Sequence, residues 1–211
     1  MHIQEGILSN STAGLAVLGL GAAGAILGTA VGLSRMDDDN IPRVAVLGSA
    51  FFVASLIHLP LGPSSVHLVL NGLAGVILGW ACFPALLIAL VLQTILFGFG
   101  GFTTLGLNLF NLALPGVLVH HLVGGLCRLR GPSGCFWGGF GAGAGGVLGG
   151  TLLTGTCLLA AGGEFQLIAE GVVLAHLPVM VVEGFVTGSV VVFLQKVRPE
   201  ILGCLLPTQT G

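Results

Sequence analysis

The sequence predicts an all-α, polytopic membrane protein. Hydrophobic residues make up 55% of the 211 residues and charged residues only 7%, whereas soluble domains carry about 25% charged residues. The mean hydropathy is +1.08. Glycine occurs 37 times, and Gly is more frequent in membrane helices than in soluble ones. Together these observations indicate a chain whose main solvent is lipid.

A bilayer core needs about 20 apolar residues per helix, and seven stretches of the chain meet or approach that length. The predicted membrane helices are Ser11–Leu33, Arg43–Leu59, Val66–Ala81, a fourth that begins at Pro84 and ends in the glycine-rich stretch Phe97–Gly101, Leu109–Cys127, Gly134–Ala161 and Phe165–Gln195. No linker or internal repeat divides them. We therefore expect residues 1–211 to form a single integral-membrane domain.

The basic residues predict how the chain is oriented. All six fall in three places, after the first, fifth and seventh predicted spans: Arg35, Arg43, Arg128, Arg130, Lys196 and Arg198. With seven spans these places lie on one side of the membrane, and loops rich in Lys and Arg face the cytoplasm. The amino terminus is therefore predicted outside the cell, tucked into the bundle, and the carboxyl terminus in the cytoplasm.

Several classes of function are disfavoured by the composition. A net charge of −2 without a basic run argues against nucleic acid as a partner. The chain contains no P-loop and no hydrolase motif, so we expect neither ATP hydrolysis nor another enzymatic activity. The cysteines show no metal-ligand spacing and are predicted to be small buried hydrophobes: Cys82, Cys127, Cys135, Cys157 and Cys204.

Small residues recur at helical spacing in two spans. Gly24, Gly28 and Gly32 form a stripe in the first span, and residues 138–150 of the sixth are unusually rich in glycine. Such stripes allow helix backbones to approach closely. They are explained either by packing within the bundle or by docking of another membrane protein, and the sequence does not separate the two.

The amino-terminal residues Met1 and His2 are a candidate metal-binding unit. The free α-amine, the deprotonated amide of His2 and the His2 imidazole supply three nitrogens in one plane, and His67 can supply the fourth. Planar nitrogen ligation suits Ni(II) or Cu(II), whereas Zn(II) prefers a tetrahedron. The alternative is a disordered tail with an arbitrary second residue and a merely solvated or hydrogen-bonded His67.

The remaining histidines suggest weaker hypotheses. His58 is interpreted as an interfacial residue or as a neighbour of the metal ligands. His176 lies seven residues before Glu183, on roughly the same helical face, so the two are predicted to form a hydrogen-bonded structural pair. The alternative function is a haem-binding membrane redox protein, with His120 or His121 and His176 as the haem ligands.

The assembled motifs resemble one known family, the nickel/cobalt-specific substrate-binding (S) component of energy-coupling-factor transporters, the NikM/CbiM family. The resemblance spans most of the chain and rests on Met1–Gly6, Ser65–Leu68, Asn71–Gly75, Gln93–Gly116 and Val182–Gly184. Its amino-terminal motif is similar to Met-His-Ile-x-(Glu/Asp)-Gly.

The resemblance implies capture of Ni²⁺, or less favourably Co²⁺, at the outer face of a prokaryotic plasma membrane. It implies the same metal ligands, Met1, His2 and His67, and no resident cofactor. The implied partners are a transmembrane coupling (T) subunit, two cytoplasmic ATPase subunits and, as a further candidate, a small accessory membrane subunit.

Overall fold

The computed structural model describes residues 2–61 and 64–202, apart from the side chains of residues 58–66 and 123–132. Most of these residues are helical, which confirms the predicted class. The elements are α1 (Thr12–Ser34), α2 (Ile41–Leu56), β1 (His58–Leu61), β2 (Ser64–His67), α3 (Asn71–Leu78), α4 (Cys82–Phe97), α5 (Leu105–Ala161) and α6 (Gln166–Val197). Short 3-10 turns follow α3, precede α6 and follow α6.

Five helical stretches of the described chain are long and apolar enough to cross a membrane: Thr12–Ser34, Asn71–Phe97, Leu105–Leu122, Ser133–Ala161 and Gly163–Val197. The shorter α2 is also apolar. Many large apolar side chains point outward, among them Leu20 (76% exposed) and Leu167 (81% exposed). Water-soluble monomers rarely expose contiguous apolar surface on this scale, so these faces fit a lipid environment.

The third predicted span differs from the structure. Instead of a helix from Val66 to Ala81, the chain forms β2 up to His67, a segment without regular secondary structure over residues 68–70, and the short α3. β2 pairs antiparallel with β1, and the register places His67 opposite His58. Backbone groups that are not paired within a helix need protein partners inside a membrane. Here Glu183 of α6 accepts hydrogen bonds from the N–H groups of Val69 and Leu70.

The α3 and α4 helices run in opposite directions, although together with the 3-10 turn between them they form the apolar stretch Asn71–Phe97. The Asn71 side chain donates to the Leu112 carbonyl oxygen at 3.0 Å, and Gly79 lies against His120, so α3 runs parallel to the first half of α5. The chain turns at Gly79, which has a φ of +55°. α4 then runs back, antiparallel to α1.

The long α5 folds back on itself. Asn111 donates to the hydroxyl of Thr154 at 3.4 Å, and Gly145 and Gly149 pack against Val119 and Pro115. These contacts bring the two halves of α5 together in opposite directions. The predicted fifth and sixth spans are therefore neighbours in the bundle.

The glycine stripes are used for packing within the bundle. In α1, Gly24 lies against Phe110, Gly28 against Phe83, and Gly32 against the Trp80 carbonyl. In the second half of α5, Gly139 meets Gly188 and Gly146 meets Gly72. Of the two interpretations that the sequence left open, the structure supports internal packing at these positions.

Gly75 offers a test of this close packing. A methyl group added there would overlap the main chain of Gly116, and overpacking of this kind costs about 1–3 kcal/mol. We expect Gly75→Ala to lower the thermal midpoint in detergent. Gly141→Ala is the matched control, because nothing lies within 4 Å of the added methyl group, and it should be neutral or slightly stabilising. Equal midpoints for the two variants would contradict the packing.

Candidate metal site

The amino-terminal segment is docked into the bundle. Ile3 and Leu8 are only 3% and 1% exposed, and they pack in one apolar cluster with residues of α1, α5 and α6, including Leu18, Leu107, Leu158 and Ala169. α1 begins after this segment at Ser11, whose hydroxyl accepts the N–H of Gly14 at 2.9 Å and donates to the Ala161 carbonyl at 3.2 Å. The segment is therefore a structured element and not a frayed tail.

Asn108 holds the backbone next to His2. Its Oδ1 accepts the N–H of Ile3 at 2.9 Å, and its Nδ2 donates to the Ile3 carbonyl at 3.0 Å. A second backbone contact follows, since the N–H of Glu5 donates to the Gly100 carbonyl at 2.9 Å. A side chain at Gly101 would overlap Glu5. These contacts fix both the depth and the direction of the amino-terminal segment.

Both ring nitrogens of His2 are buried. Neither Nδ1 nor Nε2 has a hydrogen-bond partner in the described structure, and both are shielded from solvent. Burial, which disfavours the charged form, lowers the pKa of His2 well below its usual range. A neutral imidazole with an available lone pair is the form that binds a transition metal. An unpartnered buried polar group costs about 1–3 kcal/mol, so its retention calls for an explanation.

His67 lies at the end of β2 and faces His2. It is 5% exposed, and its Nδ1 lies 2.9 Å from the Leu68 carbonyl oxygen. A carbonyl oxygen only accepts, so Nδ1 carries the proton and Nε2 carries the lone pair. This tautomer is typical of metal-binding histidines, whose second ring nitrogen donates to a carbonyl or carboxylate.

The two imidazoles are neighbours and nearly parallel, with ring centroids 5.2 Å apart and an interplanar angle of 16°. A metal–nitrogen bond of about 2.0–2.1 Å lets two imidazoles share one ion when their centroids are roughly 4–6 Å apart. The structure thus brings together two of the three predicted ligands. Met1 lies outside the described residues.

The described side chains alone do not complete a metal site here. Among residues 2–57, 67–122 and 133–202, whose side chains the structure describes, no group of three His, Cys, Asp or Glu residues could hold a metal ion. An ion bound between His2 and His67 therefore has no third ligand among those side chains. Main-chain nitrogens of the amino-terminal residues are donors of another kind.

Glu183 holds the backbone that follows His67. It is fully buried, and its Oε1 accepts both the N–H of Val69 and, at 2.8 Å, that of Leu70. The predicted pairing of Glu183 with His176 is wrong. The Nδ1 of His176 donates to the Val172 carbonyl of its own helix at 2.7 Å, and its Nε2 has no partner in the described structure.

Sequence reasoning missed the roles of Asn108 and Glu183. A polar residue inside an apolar span is a signal of function, and both residues carry that signal. Their partners, however, are main-chain atoms 105 and 114 residues away in the chain. No spacing rule connects positions so far apart.

The other candidate residues lie away from this pair or remain undescribed. Nδ1 of His120 lies 3.0 Å from the Val76 carbonyl oxygen, His121 is exposed, and Nδ1 of His176 is bonded within its own helix. Cys82 and Cys135 are buried free thiols, as predicted, and Cys157 is half-buried. The side chains of Cys127 and Cys204 lie outside the described part of the chain.

Fold and site together define a class of protein: a multi-pass helical membrane protein that buries its own amino-terminal histidine against a second histidine. Residues 2–201 match the family model described as "Cobalt uptake substrate-specific transmembrane region", CbiM. The chain belongs to this family. The predicted resemblance is thereby confirmed, and the family is one of metal transport proteins and not of enzymes.

Relatives and solved structures agree with this assignment. A Haemophilus influenzae protein named "Putative metal transport protein" is 42% identical over 206 residues, covering 96% of this chain and 97% of its own. The "Cobalt transport protein CbiM" of Sorangium cellulosum is 30% identical over 76% of each chain. A crystal structure described as a transition metal transporter superposes with a TM-score of 0.72 at 26% identity, covering 93% of each chain.

Proposed function

We propose that this chain is the metal-capturing membrane subunit of an ATP-driven energy-coupling-factor importer, with Ni²⁺ favoured over Co²⁺. The observation that carries the proposal is the close approach of the His2 and buried His67 imidazoles, whose centroids are 5.2 Å apart, together with the lack of a hydrogen-bond partner for either ring nitrogen of His2 in the described structure. Family membership supports it. One relative in Rhodobacter capsulatus, 35% identical over 125 residues, is named "Fused nickel transport protein NikMN".

In this proposal the metal ion is cargo, bound by four nitrogens. They are the Met1 α-amine, the amide and imidazole nitrogens of His2, and an imidazole nitrogen of His67. The first three belong to fused chelate rings and so lie in a plane. Loss of an amide proton is favoured only by ions that gain strongly from a planar field, which selects Ni(II) and Cu(II) over Zn(II).

The proposed orientation places the site at the outer face. The amino-terminal segment contacts Gly100, so the loop between α4 and α5 lies at the same end of the bundle. Arg35 follows the opposite end of α1, and Lys196 and Arg198 end α6. These basic residues would face the cytoplasm of a prokaryote. The proposed partners of this single domain are a transmembrane coupling subunit, two cytoplasmic ATPase subunits and a small accessory membrane subunit.

Metal analysis of protein purified without chelator tests the proposal directly. We expect about one nickel ion per chain after equilibrium dialysis, with Co²⁺ weaker and Zn²⁺ weaker still, because the planar donor set disfavours a tetrahedral ion. Preferential binding of Zn²⁺ would contradict planar ligation. Protein that retains no transition metal would contradict the proposal as a whole.

Nickel affinity is expected to fall as the pH falls, because nitrogen ligands must lose their protons to bind metal. The depressed pKa of His2 keeps its imidazole neutral at neutral pH. Protons therefore compete there chiefly for the deprotonated amide nitrogen of His2 and for the amine, whose reference pKa is about 7.7–8.0. Between about pH 8 and pH 5 the apparent affinity should drop at least about 100-fold. An affinity that does not change across this range in equilibrium dialysis would argue against nitrogen ligation.

A further inference from the structure

We infer that Glu183 is a positioning residue for the metal site, which fixes the 68–70 segment and thereby aims the His67 imidazole at His2. The inference rests on the proposed function, because it assigns Glu183 a role in metal binding. It adds a residue of α6 whose hydrogen bonds go to the backbone of residues 69 and 70. It also links the site to the helix that ends in the basic residues Lys196 and Arg198.

The contact itself is unusual for a carboxylate inside a membrane protein. Glu183 is 0% exposed, and one of its oxygens accepts two successive main-chain N–H groups, those of Val69 and Leu70. The other oxygen, Oε2, is buried and without a hydrogen-bond partner in the described structure. The carboxylate therefore binds the backbone of the 68–70 segment through a single oxygen.

The backbone that Glu183 holds is in a conformation that needs support. Leu70 has a φ of +51° and, among residues 2–61 and 64–202, is the only residue other than glycine with a positive φ. L-residues disfavour this left-handed region, and it persists where surrounding contacts determine it. Convergence of two adjacent N–H groups on one oxygen provides such a contact.

The held segment in turn orients His67. The Nδ1–H of His67 donates to the carbonyl of Leu68, the residue immediately before the two that Glu183 binds. On the other side, Asn71 is anchored by hydrogen bonds from its Nδ2 to the carbonyls of Leu112 and Gly146. Movement of residues 68–70 would therefore move the carbonyl that sets the tautomer and the direction of the His67 ring.

A mutant cycle on nickel affinity tests this inference. Outer-shell partners of metal ligands typically contribute 10- to 100-fold in affinity, so we expect E183A to lose about that factor. Because Glu183 acts through His67, E183A should cost little more when His67→Ala is already present. Its nickel absorption spectrum should also match that of His67→Ala, since both sites lose the fourth nitrogen.

Two further variants separate positioning from a general effect on folding. E183Q should recover most of the affinity, to within about threefold of the parent, because an amide oxygen accepts the same two hydrogen bonds. Leu70→Gly should restore part of the loss in the E183A background, because glycine adopts positive φ without strain. Glu170→Ala is the matched control, since Glu170 lies on the same helix, is exposed and contacts Gln166.

The outcomes distinguish this inference from the proposed function. If the parent binds no nickel, or His67→Ala binds it like the parent, the proposed function fails. If both behave as expected, two results overturn the role of Glu183 alone. One is an E183A affinity equal to the parent's, and the other is a double variant whose loss of affinity equals the sum of the losses in E183A and His67→Ala. Should E183A not fold, E183D takes its place in the cycle, because its carboxylate is one methylene shorter and is withdrawn from both N–H groups.

Discussion

Adding two residues ahead of Met1 is expected to abolish nickel binding. The extension converts the Met1 amine into an amide, which removes one of the four proposed nitrogens and breaks the fused chelate rings. The new free amine cannot take its place, because Asn108 holds both backbone groups of Ile3 and Gly100 holds the N–H of Glu5. We expect the affinity measured by equilibrium dialysis to fall by at least about 100-fold.

The same two residues added at the carboxyl terminus provide the control, because they leave the amine free. Thermal unfolding of both extended proteins shows whether the fold is retained. Nickel affinity unchanged by the amino-terminal extension would refute a role for the Met1 amine. The rest of the site, His2 with His67, would then have to bind the ion by other donors.

Replacement of His67 by alanine is expected to have the next largest effect. His67 is the one proposed ligand that lies outside the first two residues, and it carries its lone pair on Nε2 because Nδ1 donates to the Leu68 carbonyl. Its loss leaves three nitrogens and a coordination position for water. We expect nickel affinity to fall by about 100-fold or more, with a shift of the nickel absorption to lower energy as a weaker donor replaces nitrogen.

His121→Ala is the matched control for this variant, because His121 is an exposed imidazole that the proposed site does not use. It should bind nickel like the parent. If the two alanine variants bound nickel equally well, the pair of His2 and His67 would have no part in binding. The pair would then be a packing contact only.

The sequence predicted the class of fold and the pairing of His2 with His67 for physical reasons. Apolar length sets the number of passes through lipid, and the positions of basic residues set which ends lie together. Ligand chemistry then singled out the amino terminus and His67. Hydropathy could not show that the apolar run from Val66 is first a strand and only later a helix, because a buried strand and a buried helix are equally apolar.

The roles of the two residues that hold the backbone near the site could not be predicted from the sequence, for a different reason. Asn108 and Glu183 act on backbone atoms of distant segments, so their roles depend on how the helices pack and not on local pattern. For the same reason, the sequence did not show whether the glycine stripes face the interior or a partner protein. Gly24 and Gly28 could have faced a partner protein, and only the positions of Phe110 and Phe83 reveal that they face the interior.

The docked amino-terminal segment also constrains how the protein is made. Residues 2–11 leave the ribosome well before the groups that hold them, which are Gly100, Asn108 and the Ala161 carbonyl. The segment must therefore wait, undocked, until both halves of α5 have been inserted. A chain that stops before residue 161 carries every proposed ligand but cannot complete the docking that arranges them. The ligands are therefore synthesised early in biogenesis, whereas the site that they form is assembled late.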